Sequence, residues 1–185
     1  MEKNNSMINS KTNLNICLKK EKEKYISNSI VGNIKLWLLK DHDYLIWEYV
    51  KALRMTEYSF NCNRKLRYYF WQRRKNTLGA HLGITIWHNT IDSGLKIWHY
   101  GSVIVNGHAK IGKNCQMHGE NCIGNKGDTD EGAPEIGNNV DIGVGAKIIG
   151  PIYIADDIKI GANAVVINSC YKRGATLVGV PAKEV

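Results

Sequence analysis

The chain has 185 residues, 43% of them hydrophobic and 23% charged, with a formal net charge of +8, which suits one substantial globular domain with a small appendage. Every strongly apolar stretch carries Lys, Asp or Asn within a few residues, which excludes a membrane-spanning segment, and residues 1–24 lack the apolar core of a secretory signal, so the expected compartment is the cytoplasm. The charge is uneven: residues 1–75 hold 16 Lys and Arg against 7 Asp and Glu, and residues 76–185 hold 9 against 10.

Residues 1–24, with Lys and Glu alternating near their end, read as a poorly ordered N-terminus. Residues 25–77 read as an α-helical segment. Proline is absent there, Gly32 is the single glycine, and Ile34, Trp37, Leu38, Leu39, Leu45, Ile46 and Val50 recur at three- and four-residue spacings. The run Arg64 to Lys75 mixes basic residues with Tyr68, Tyr69, Phe70 and Trp71, a composition that nucleic acid or an anionic membrane face could meet. No nucleic-acid motif accompanies it, so the run reads as a solvated helix face with its apolar side turned to a partner subunit.

Residues 78–185 have a different period. Counting in sixes from Val105, the leading residues are Val105, Ile111, Met117 and Ile123; after a break they resume as Ile136, Ile142, Ile148, Ile154, Ile160 and Val166. The position after each is often small (Asn106, Gly112, Gly124, Gly137, Gly143, Ala155, Gly161), and four places on stand Ala109, Cys115, Val140, Ala146, Ile152, Ile158, Ala164 and Cys170. Such a period predicts one short strand and a turn per hexapeptide, three of them closing a triangular coil, with the leading aliphatic stacked inside on its equivalent one coil away. Gly and Asn suit the corners because they tolerate φ > 0. Packed sheets of a sandwich would instead alternate in twos. The break between Ile123 and Ile136 holds the polar, glycine-rich segment 125–134, predicted to be a loop ejected from a corner, where function often resides.

The five cysteines form no Cys-x-x-Cys pair, so neither a disulfide framework nor a structural zinc site is expected, and no metal is assigned.

The segments Gly94-Leu95-Lys96-Ile97-Trp98-His99-Tyr100-Gly101, Ala133-Pro134-Glu135-Ile136-Gly137, Gly143-Val144-Gly145-Ala146-Lys147-Ile148 and Val178-Gly179-Val180-Pro181-Ala182-Lys183 resemble the hexapeptide-repeat acyltransferases. Within them they are most similar to the serine acetyltransferase-like branch associated with capsule and lipopolysaccharide biosynthesis. The resemblance implies a mainly β fold, a left-handed parallel β-helix preceded by a small α-helical segment, and a homotrimer with active sites in the clefts between neighbours; pairing of two trimers through the helical halves is left open. It implies acetyl-CoA as co-substrate and no metal, with the pantetheine arm passing the ejected loop toward a catalytic histidine, here His99. Carried over residue by residue, the cofactor-binding positions are Gly124, Asn125, Gly143, Val144, Gly161 and Ala162, with Lys183 a candidate partner for the cofactor's phosphates.

The chemistry asks for such a histidine independently. A hydroxyl attacking a thioester must lose its proton as the bond forms, and an imidazole can take it and pass it to the leaving thiolate. His118, one coil after His99, is expected to line the same cleft, with Trp98 and Tyr100 as substrate-binding residues. His88 and His108 read as corner residues, His42 and His81 as structural.

Three positions depart from serine acetyltransferases, where the resemblance would place polar groups that handle serine: this chain has Trp98, Ala133 and Ile84. A site that leaves an ammonium unpaired discriminates against it. The expected acceptor is therefore a carbohydrate hydroxyl, of a capsule, O-antigen or related glycan precursor, with aromatic rings stacking on the sugar; serine acetylation in cysteine biosynthesis is the alternative. A γ-type carbonic anhydrase would need a His-x-x-x-x-His pair, which the sequence lacks. No nucleic-acid partner is expected.

Overall fold

The computed structural model describes residues 7–27, 29–127 and 132–185. Four helices come first. α1 (Lys11–Lys22) begins at Ser10, whose hydroxyl accepts from the Asn13 N–H, and α2 (Ile30–Leu38) begins at Ser29 in the same way. α3 (His42–Asn61) begins at Asp41, whose carboxylate accepts from the N–H groups of Asp43 and Tyr44. Each cap satisfies N–H groups that a helix start leaves unpaired. α4 (Lys65–Leu82) ends on Gly83 at φ 67°, a left-handed stop that a side chain would strain. Among the described residues no helix is long and apolar enough to cross a membrane.

α1 departs from the expectation of a poorly ordered stretch up to residue 24. Leu14, Cys17 and Glu21 make a stripe at helical spacing and all three are buried, Glu21 against Arg54 of α3. The Lys and Glu run looked solvated because the partner of its one buried carboxylate lies 33 residues away. The apolar residues of the 25–77 stretch also divide unevenly. Ile46, Tyr49, Val50 and Leu53 of α3 enter the core, whereas α2 buries none of its residues and leaves Ile34, Trp37 and Leu38 exposed.

After Gly83 the chain forms three sheets of short strands. The first holds β1 (Ile84–Ile86), β3 (Val103–Val105), β6 (Cys122–Gly124), β9 (Lys147–Ile149) and β12 (Val165–Val166). The second holds β4 (Lys110–Ile111), β7 (Glu135–Ile136) and β10 (Tyr153–Ile154). The third holds β2 (Lys96–Ile97), β5 (Gln116–Met117), β8 (Asp141–Ile142), β11 (Lys159–Ile160), β13 (Thr176–Gly179) and β14 (Ala182–Glu184). The pairings are parallel except for the closing β13–β14 hairpin. The chain visits the sheets in rotation, so each strand lies beside the strand one turn earlier.

Register follows the six-residue count. Ile97, Met117, Ile142, Ile160 and Leu177 pair in one column, Ile86, Val105, Ile123, Ile148 and Val166 in another, and Ile111, Ile136 and Ile154 in the third. All ten leading residues from Val105 to Val166 are at most 5% exposed. Burying each aliphatic side chain is worth about 1.5–3 kcal/mol, which makes these columns the main source of cohesion. Between the second and third sheets the corner is built from Asn114, Asn139 and Asp157, all with φ near 60°. Their side chains form a ladder, the Asn114 amide donating to Asn139 Oδ1 and the Asn139 amide to Asp157 Oδ1, each at 2.8 Å. Short polar side chains tolerate this left-handed backbone and satisfy it locally.

The helices cap the first turn of this stack. Its strands would otherwise present unpaired N–H and C=O groups at an open edge. Glu21 accepts from the N–H groups of Gly94 and Leu95, Tyr25 from Ile97, Tyr49 from Ile86 and Glu57 from Asn89. Lys75 donates to the Ile86 carbonyl, and Arg54 to those of Ile91 and Asp92. Terminal units of stacked architectures need such a cover, and here it is made of buried polar side chains.

Candidate active site

Where the third sheet turns into the first, one corner follows another down the stack: Trp98-His99, His118-Gly119, Gly143-Val144, Gly161-Ala162. Trp98, His99 and Tyr100 are exposed at the top of this column, directly after β2. Gly119 lies beneath His99 at φ 110°; a Cβ there would stand 3.3 Å from the His99 Cβ and 3.2 Å from its carbonyl oxygen. Asn121, fully buried, clamps the corner by accepting from the Gly119 N–H at 3.0 Å and donating to the Gly143 carbonyl at 2.7 Å. The backbone under His99 is thus held by packing and by a satisfied buried amide.

Trp98 lies flat along the outer face of the third sheet. Its indole N–H donates to Gln116 Oε1 at 3.1 Å, its ring stacks on His118 at 5.7 Å and 17°, and Lys96 Nζ sits 4.9 Å from its centre. His118 Nε2 meets Asp141 Oδ1 at 2.8 Å across the next turn, so one ring nitrogen of His118 is already engaged. Trp98 and His118 therefore share a surface, with His118 supporting the indole.

His42, expected from the sequence to be structural, stands at the first turn of α3 with its ring 5.3 Å from that of His99 and 4.9 Å from that of Tyr100. Its Nδ1 is 3.9 Å from Asp43 Oδ1, and Asp43 in turn receives a 2.9 Å hydrogen bond from Lys96, which also donates to the Lys24 carbonyl. No local signal could have found His42, because the contact joins a helix start to a coil corner 57 positions later. Among the described residues no carboxylate is hydrogen-bonded to the His99 ring.

The expected cofactor residues divide between two corners. Gly143, Val144, Gly161 and Ala162 fall in the column below His99, with Val144 and Ala162 exposed. Gly143 is demanded by the next turn, since a Cβ there would lie 2.7 Å from the Ala162 nitrogen. Lys183, on β14, extends the same sheet and is exposed. Gly124 instead ends β6 and Asn125 follows it, at the corner between the first and second sheets, where the Asn125 amide donates to the Gly127 carbonyl. The predicted ejected loop begins there; residues 128–131 lie outside the described residues. Within one chain, Gly124 and His99 sit at opposite ends of the first sheet, because successive corners of a triangular coil face different ways.

Of the other histidines, His88 packs between Phe60 and Tyr68, its proton affinity lowered by burial and by Lys75, and His81 and His108 are exposed. Ile84 is buried in β1, and Ala133 is half-buried just before β7. Burial pushes the thiols of Cys17 and Cys115 up to about 12, so neither supplies a thiolate near neutral pH. Among the described residues no group of three or more His, Cys, Asp or Glu could hold a metal ion.

No protein-family model matches the chain. It is 36% identical over 124 residues to a serine acetyltransferase of Helicobacter pylori, spanning 65% of this chain and 72% of that protein. Among solved structures it resembles a serine acetyltransferase in complex with CoA, with TM-score 0.73, 25% identity and coverage of 95% of this chain and 71% of the other. It also resembles the serine acetyltransferase of Neisseria gonorrhoeae in complex with serine, with TM-score 0.70, 27% identity and coverage of 95% and 70%. These likenesses support an acetyl-CoA-dependent acyltransferase; they are to serine acetyltransferases rather than to carbohydrate O-acetyltransferases, and the capsule and lipopolysaccharide branch draws no support from them.

Proposed function

The chain belongs to the serine acetyltransferase family, and on that premise we propose that it transfers an acetyl group from acetyl-CoA to the serine hydroxyl, with His99 as the general base. His99 takes the hydroxyl proton as the oxygen attacks the thioester carbonyl, and returns it to the leaving thiolate, so that O-acetylserine and free CoA are formed. The observation that carries this reading is the likeness to the Helicobacter pylori enzyme, which runs through the His99 corner. The carbohydrate acceptor argued from Trp98, Ala133 and Ile84 gives way to it.

The architecture is read as a left-handed parallel β-helix assembled as a trimer with sites between neighbours. One feature supports the assembly: the loop residues Gly124 and Asn125 stand at a different corner from His99, and in this reading a second chain brings the two together. Gly143, Val144, Gly161, Ala162 and Lys183 remain candidates for the acetyl-CoA path below His99, with Trp98, Tyr100 and His118 as acceptor-side walls.

The test is release of free thiol from acetyl-CoA with L-serine, set against nucleotide sugars and glycans as acceptors. Serine-dependent release with an acetylated serine product is the expected result. Release with a sugar and none with serine would overturn the acceptor while keeping the chemistry.

A further inference from the structure

We propose that His42 is the specificity-determining partner of the acceptor's carboxylate. The inference rests on the serine reading and assigns one end of that substrate.

Serine reaches the site as a zwitterion, and a charged end brought against protein without a counter-group is strongly disfavoured. Lys96 and His42 both flank Asp43 beside this corner. Lys96 is already committed: its side chain is 7% exposed, and its ammonium is engaged by the Lys24 carbonyl, by Asp43 and by the rings of Tyr25 and Trp98. His42 is different. Its side chain is 37% exposed, its ring borders both His99 and Tyr100, and among the described residues it makes no side-chain hydrogen bond. An imidazole is also the side chain that can carry charge near neutral pH.

The geometry suits one small substrate. Nδ1 of His42 faces Asp43, so Nε2 is the nitrogen left for a ligand. Lys96 pairs with Asp43, and the Asp41 carboxylate at the start of α3 is engaged by the N–H groups of Asp43 and Tyr44. The hydroxyl and carboxylate oxygens of serine are four bonds apart, roughly 3–4 Å. With the His42 and His99 rings centred 5.3 Å apart, one serine can place its hydroxyl on His99 and its carboxylate on His42. An imidazolium–carboxylate hydrogen bond there would be charge-assisted and would orient the hydroxyl as well as hold the substrate.

The experiment measures KM and kcat with L-serine and with serinamide, which keeps the hydroxyl and loses the carboxylate charge. His42→Ala should raise the serine KM by about 10- to 100-fold, leave the acetyl-CoA KM unchanged, and remove most of the preference for serine over serinamide. His42→Phe keeps a ring against His99 and Tyr100 and should lose the preference equally, while His42→Arg should retain it. A fall in kcat shared by both acceptors, with the preference intact in Ala and Phe variants, would sink the assignment and leave His42 a packing residue. A wild-type protein inert toward serine would instead remove the serine reading and this assignment together.

Discussion

Glu21 and Arg54 meet at 2.7 Å with both side chains sealed from solvent, and both also hold the backbone of the first coil. Arg54 reaches Glu57 as well, at 2.8 Å. The cluster fixes α1 and α3 to the open end of the stack. It thereby determines where the start of α3 falls, and so brings His42 to His99.

Glu21→Gln should cost about 3–5 kcal/mol of unfolding free energy, because it leaves Arg54 buried with its charge undercompensated and weakens acceptance from Gly94 and Leu95. Urea unfolding reads this directly. Replacing Glu21, Arg54 and Glu57 together by Met, which leaves no charge of the cluster unpaired, should recover part of the loss. A single variant as stable as wild type would mean that the pair does not anchor the helices.

His99→Ala should lower kcat by at least ~10²-fold while acetyl-CoA affinity stays nearly the same. Steady-state thiol release, with CoA binding measured separately by calorimetry, distinguishes lost chemistry from lost binding. Near-full turnover would remove His99 from the mechanism.

Gly119→Ala tests how the corner positions that histidine. The added methyl would press on the His99 Cβ and carbonyl from a backbone at φ 110°, where side chains are strained. Turnover should fall about tenfold to a hundredfold through misplacement of the base, with a lower thermal midpoint. An unchanged kcat would show that the corner yields without moving the imidazole.

Asp157 links the asparagine ladder to acid sensitivity. The hydrogen bond from the Asn139 amide, followed by that from the Arg173 guanidinium, holds its carboxyl below the usual aspartate range. A carboxyl with a lowered folded value contributes stability that is complete above its unfolded value and drains away as pH falls through the folded one. The wild-type thermal midpoint should therefore fall more steeply than that of Asp157→Asn between roughly pH 5 and pH 2. Parallel curves for the two proteins would discount the ladder as a source of acid sensitivity.

The coil was legible because its core is periodic. Ile142 packs on Met117 and Ile160 in register, and a position's role can be read from its place in the count. The left-handed turns were less so: the small residues expected to make them, such as Gly112 and Gly137, have no positive φ, which falls three places after each leading aliphatic, on Asn114, Asn139 and Asp157. α1 was not, because a Lys and Glu run looks solvated until the partner of Glu21 is known. Trp98 and His99 were readable as neighbours, but the stack of Trp98 on His118 needed the strand register to place β2 beside β5.

The amino-acid order alone thus determined the stacked coils and the place of His99 in the count, since both depend on short-range periodicity and on contacts repeated from one turn to the next. The tertiary structure alone decided the cap and the surroundings of the site. Glu21 with Arg54, Lys96 with Asp43, and His42 with His99 join residues 33, 53 and 57 positions apart. Such pairs carry no period, and only packing a helix against the end of the stack brings their charges and rings within reach.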